Sequence, residues 1–133
     1  MTETPTYALS TTVPRPYAET VSSVREALAE QGFGVLTEID LQATLKQKLG
    51  VDVPAQVILG ACRPPLAREA LEAEPSIGLL LPCNVVVRET EAGTVVEAVD
   101  PNTMVTLTGN AALQPVAKDA HMRLDAALTS LTG

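Results

Sequence analysis

The run Gln56–Cys62 is apolar on both of its alternating sets of side chains and is followed at once by Arg63-Pro64-Pro65. A strand with one wet face alternates polar and apolar residues, so a run apolar on both sides reads as an internal strand covered on both faces. Proline is tolerated in the first turn of a helix. The strand therefore stops at this junction and a helix begins, carrying Leu66, Ala70 and Leu71 until Pro75 closes it.

The neighbouring segments fit the same plan. Tyr7, Leu9, Thr11 and Val13 alternate with Ala8, Ser10 and Thr12, the pattern of a first strand. Beyond the Pro14-Arg15-Pro16 break, Tyr17, Val21, Val24 and Leu28 recur at helical spacing, and Gly32 fits a left-handed stop. Gly34–Ile39 reads as a second strand. Asp40 is placed to cap a short helix in which Leu41, Leu45 and Leu49 share a face, and Gly50 ends it. Ile77–Glu89 reads as one long strand bent or bulged at Pro82, because proline cannot donate to the ladder. Glu91-Ala92-Gly93 is a hairpin connection to Thr94–Val99. Met104–Leu107 leans towards a helical turn. A last helix over Pro115–Leu131 turns Val116, Ala120, Leu124, Ala127 and Leu131 inward.

Helices alternate with strands early, and a strand pair occurs late. The crossover between the first two strands favours parallel pairing, whereas the late hairpin must be antiparallel. The expected fold is α+β, a mixed sheet of about five strands with about four helices. With 133 residues the chain suits one domain over 1–133, with residues 1–5 expected to be disordered.

Apolar residues make up 46% of the chain, yet only Tyr7, Tyr17 and Phe33 are aromatic, so the core is aliphatic. The formal net charge is -7. Phosphate neutralisation by Lys and Arg, and base stacking on aromatic rings, are both poorly supplied. Nucleic acid and anionic membranes are therefore not expected as partners. The most apolar segment, Ile77–Val87, contains Pro82 and Asn84 and is far short of the roughly 20 residues of a membrane span. Met1–Val13 has no basic stretch leading into an apolar run, so no secretory signal is expected. The expected compartment is the cytoplasm, where Cys62 and Cys83 would be thiols.

Three segments together form a signature: Gly32–Asp40 (GFGVLTEID), Ile58–Pro64 (ILGACRP) and Ile77–Val87 (IGLLLPCNVVV), with Lys46–Gly50 between the first two. They resemble the family known as domain of unknown function 302, and the likeness runs from about Thr6 to the C-terminus. The resemblance implies a small α+β fold, a tendency to homodimerise and no established activity. Two positions depart from the family pattern. Arg63 stands where asparagine is common after the first cysteine, and Gln56 stands where an aromatic residue is frequent. Both departures bear on the candidate pocket.

Chemistry centres on Cys62. With Arg63 as the N-cap, a thiol one residue earlier feels the positive helix end and the guanidinium, and both favour the nucleophilic thiolate. The leading reading is plainer: Cys62 is a small apolar plug stapled against Ala67. A bend at Pro82 could bring Cys83 beside Cys62 as a ligand-contacting or redox pair, with Asn84 on the opposite strand face. Two cysteines without histidine partners do not make a zinc site, which takes four ligands, and no structural metal is expected. Glu38 and Asp40 leave one strand face together and could divide acid and base roles, but a solvent-facing Glu38 and a capping Asp40 are favoured. Lys46 and Lys48 diverge on their helix and make no phosphate cradle. His121 is the only histidine, and it or Met104 could serve as an axial haem donor.

The candidate ligand-binding residues are thus Cys62, Arg63, Cys83, Asn84, Glu38 and Asp40. The leading function is a non-enzymatic, homodimeric binding or interaction domain with a small-molecule pocket near Cys62 and Cys83, its cofactor unknown. The alternatives are a thiol-dependent redox or transfer protein using Cys62 and a haem-binding protein.

Overall fold

Residues 4–132 are described by a computed structural model of the chain. The chain runs β1 (Ala8–Val13), α1 (Tyr17–Glu30), β2 (Gly34–Asp40), α2 (Leu41–Leu49), β3 (Gln56–Cys62) and α3 (Pro64–Ala73). A 3-10 turn at Pro75–Leu80 leads to β4 (Cys83–Thr90), β5 (Gly93–Val99) and α4 (Asn102–Thr108). A second 3-10 turn at Ala111–Leu113 precedes α5 (Gln114–Ser130). The fold is α+β, with five strands in the order β1-β5-β4-β3-β2. Helices are more numerous than the expected four: among the described residues there are five α-helices besides the 3-10 turns.

Every neighbouring pair in the sheet is antiparallel, so the expected mixed sheet and the parallel pairing of the first two strands are corrected. β1 and β2 lie at opposite edges. The helix between them explains why. Four successive antiparallel pairings leave β1 and β2 running in the same direction, so the 14 residues of α1 must return the chain along the sheet as well as across it. The helix carries the chain from one edge to the other, and β3, β4 and β5 fill the gap.

The expected strand Ile77–Glu89 also divides. Ile77 is buried in the 3-10 turn and Leu79 stands exposed, and the strand begins only at Cys83, after a cis Leu81–Pro82 bond. An apolar run has no period of its own, so it does not distinguish a strand from a turn that buries one residue in three.

One sheet face carries Val57, Leu59, Val85, Val87, Val96 and Ala98, all buried, and packs with Val24 and Leu28 of α1 and Leu124 and Leu128 of α5. Burying each such side chain contributes roughly 1.5–3 kcal/mol. A second cluster joins Leu66 and Ala70 of α3, Ile77, Met104 of α4, and Val116 and Ala120 of α5. Helix α5 serves both clusters, its first half the second and its second half the first. On the other sheet face Ile58, Val86, Val95 and Val99 are only half-buried. β3 is therefore internal to the sheet, as its composition implies, but its second face is not fully covered within the chain.

Candidate functional site

Two proline-directed junctions build the site. At the first, β3 ends on Cys62 and Arg63 takes an extended conformation before Pro64 opens α3. Pro64 and Pro65 have no backbone N–H, and Leu66 and Ala67 both donate to the Arg63 carbonyl oxygen at 3.0 Å. The first turn of α3 is thereby closed on itself. The unpaired helix-end N–H groups expected to support a thiolate at Cys62 are not there, and Arg63 is the remaining cationic feature.

At the second junction, Pro82 delivers Cys83 as the first residue of β4. A Cβ on Gly60 would lie 2.8 Å from the Pro82 ring and would collide with the Thr37 hydroxyl, so only glycine lets this segment settle onto β3. Cys83 then pairs with Ala61 across the β3–β4 ladder, one residue from Cys62.

Between these junctions lies a cavity of about 30 Å³, placed where the two hydrophobic clusters meet. Its walls are almost wholly apolar, including Phe33, Leu66, Leu81 and Val116. Cys62, Arg63, Cys83 and Met104 also line it. Both cysteines are free thiols, Cys62 half-buried and Cys83 buried. Burial pushes the Cys83 thiol from 9.0 up to about 11, with the neighbouring Cys62 adding to the rise.

Arg63 is folded against Gly32, where a Cβ would stand 2.9 Å from its Nε. Gly32 has φ 83°, so it serves both the left-handed stop after α1 and this close approach. The Nε of Arg63 is buried without a hydrogen-bond partner, alone in this among the side-chain nitrogens and oxygens of the described residues. Such an orphan costs about 1–3 kcal/mol.

The other candidate residues lie elsewhere. Glu38 forms an ion pair with Arg25 at 2.8 Å, and the Asp40 carboxylate accepts from the Ala43 N–H at 2.9 Å as the N-cap of α2. With Glu89, these carboxylates sit near Tyr17, whose hydroxyl is held above its usual range first by burial and then by Asp40, Glu38 and Glu89. Asn84 is exposed and borders a shallow groove with Tyr7, Val86 and Glu97. His121 bonds through Nδ1 to Asp100 at 3.0 Å and does not line the cavity. Gln56 pairs with Arg88 at the far end of β3, so of the two departures from the family pattern only Arg63 bears on the pocket.

Sequence reasoning thus placed Cys62, Arg63 and Cys83 together and did not foresee Met104 or Phe33 as members of the site. Met104 comes from a short helix far along the chain, and no local pattern ties it to the cysteines.

The family model for a domain of unknown function, DUF302, matches residues 9–131. The chain is also similar to a crystal structure of an uncharacterized conserved DUF302 protein from Bacillus stearothermophilus, with 30% identity and a TM-score of 0.87. That alignment covers 94% of this chain and 98% of the other. No curated protein matches. With the family model spanning nearly all of the fold and the solved relative sharing its architecture, the chain belongs to the DUF302 family.

Proposed function

We propose that the protein is a non-enzymatic, homodimeric binding domain that holds a small ligand in the cavity between Cys62 and Cys83. The observation that carries this reading is that Cys62, Arg63 and Cys83 all line one apolar cavity, and that the Arg63 Nε is buried without a partner. An orphaned donor beside an apolar cavity is costly for a scaffold and useful for a ligand. Binding is favoured over catalysis because no carboxylate or imidazole of the described residues lines the cavity to move a proton. The volume also bears on size. Pockets for drug-sized molecules begin near 300 Å³, so a cavity of about 30 Å³ suits a ligand of one or a few atoms and not a haem. Dimerisation is supported by the incompletely covered sheet face, where Ile58, Val86, Val95 and Val99 are half-buried and Ile39 is exposed.

Native mass spectrometry of gently purified protein tests both parts. The expected species is a dimer of the 13.9 kDa chain carrying an adduct on each copy. A bare monomer at micromolar concentration would overturn the reading. A second reading, a thiol redox protein, rests on Cys62 and Cys83 both lining the cavity as free thiols, although strand alternation turns their side chains to opposite faces of the sheet. It requires a mild disulfide oxidant to remove two hydrogens from the chain and leave a Cys62–Cys83 bridge.

A further inference from the structure

We propose that the ligand of this cavity is a small, uncharged, apolar molecule of about two or three non-hydrogen atoms, with the size and chemistry of a dissolved gas. The inference rests on the reading of the cavity as a ligand site and names the chemical class of its occupant. The space has a cause in the sequence. Four small, buried side chains line it: Ala61 and Cys83 from the paired β3 and β4, Ala70 from α3 and Ala120 from α5. Ala61 and Cys83 are register partners and so share a sheet face. Ala70 stands four residues after Leu66, and Ala120 four after Val116, so each alanine shares a helix face with a larger lining residue. Protein interiors are close-packed and hold few voids larger than a water molecule. A larger side chain at any of the four positions would fill much of this one.

The walls decide the class. A space of about 30 Å³ exceeds the roughly 10–15 Å³ that one water takes up, but a buried water also needs about two to four polar partners. Among the lining side chains only Arg63 carries a strong hydrogen-bonding group, and thiols and thioethers are weak partners. The rest of the lining is hydrocarbon, with the Phe33 ring and the Met104 thioether as polarisable surface. Water gains little here, whereas an apolar molecule gains by leaving water for such a wall. The space is already formed, so binding orders few side chains. Size sets the upper bound. An engineered apolar cavity of about 150 Å³ accepts benzene, and one of about 30 Å³ excludes rings and branched chains.

Xenon is the probe, read by NMR at isotope-labelled methionine methyl groups. Met104 lines the cavity, whereas Met122 is exposed on α5, does not line it and reports the bulk effect of the gas. Expected is a saturable shift of the Met104 methyl resonance with xenon pressure, while Met122 drifts linearly. Methanol, a polar molecule of similar size, should leave Met104 unmoved at matched concentration. Ala120→Val and Ala70→Val add bulk to the cavity from two different helices. Each should abolish the saturable shift and leave the circular dichroism unchanged, and the second variant keeps the claim testable if the first misfolds. The proposal is overturned if wild-type protein shows no saturable Met104 shift, both as purified and after unfolding, desalting and refolding. A saturable response to methanol alone, or to xenon in both folded alanine variants, would overturn it as well. If xenon is refused while purified protein carries an adduct that the alanine variants lack, the apolar class falls and the ligand reading stands. If xenon is refused and no adduct is found, both fall.

Discussion

Cys62 and Cys83 share a cavity but not an environment. Cys83 is buried and its thiol is raised to about 11, while Cys62 is half-buried. In ligand-free protein Cys62 should therefore alkylate faster than Cys83 across neutral pH. Iodoacetamide labelling of the two single Cys→Ser variants, read by mass spectrometry, checks this, and faster labelling of Cys83 would refute it. The raised thiol also has a consequence for stability. A folded-state value above the unfolded one means that the associated stability is fully present below about 9 and is lost as pH rises towards about 11. Tyr17 shifts in the same direction, so the comparison must be between wild type and Cys83→Ala. The urea midpoint of the variant should fall less between pH 9 and 11, and parallel curves would contradict the assignment. The break at Pro82 was legible, and it is after this residue that Cys83 enters the cavity wall to which Cys62 also belongs. The closed end of α3 was misread as a positive helix end, although two successive prolines remove two N–H groups whatever the fold. What no local pattern conveyed was Met104, which reaches the cavity only through packing of α4 against α5.

At the scale of elements, the readable signals were those with a period or a cap. The apolar stripe of α1, the Asp40 cap and the αL Gly50 of α2 all stand where local chemistry puts them. Asp40→Ala should cost about 0.5–2 kcal/mol in a denaturation experiment, whereas Glu38→Gln, which breaks an exposed pair with Arg25, should cost no more than about 1 kcal/mol. A larger loss at Glu38 than at Asp40 would show that the carboxylates do more than pair and cap. Ile77–Leu80 was misread because three apolar residues around Gly78 fit strand and turn equally, and the turn wins by burying Ile77 among Leu66, Ala70 and Leu113. The Pro82 segment then depends on Gly60. Gly60→Ala should destabilise by roughly 1–3 kcal/mol through overpacking against Thr37 and Pro82. It should also raise the alkylation rate of Cys83, and an unchanged rate would mean that this contact does not position the thiol.

For the whole molecule, the order β1-β5-β4-β3-β2 is a long-range result that helix–strand alternation does not encode. It leaves one sheet face incompletely covered and brings the cysteines, Arg63 and Met104 to the cavity where the two core clusters meet. Charge acts at the same scale. Arg25, Lys46, Arg68, Arg88 and Arg123 each pair with an acid, which leaves little free positive charge on a chain of net -7. Fluorescence anisotropy with single- and double-stranded DNA at physiological salt should show no binding, and sub-micromolar affinity would contradict the charge argument. Among the described residues no helix is long and apolar enough to cross a membrane. The central claim is that the cavity between Cys62 and Cys83 holds the ligand, and the alkylation rate of Cys62 tests it most directly. Protein as purified should label slowly at Cys62, and the same protein unfolded, desalted and refolded without ligand should label faster. Equal rates, in a preparation whose native mass shows an adduct, would place the ligand elsewhere and contradict the account.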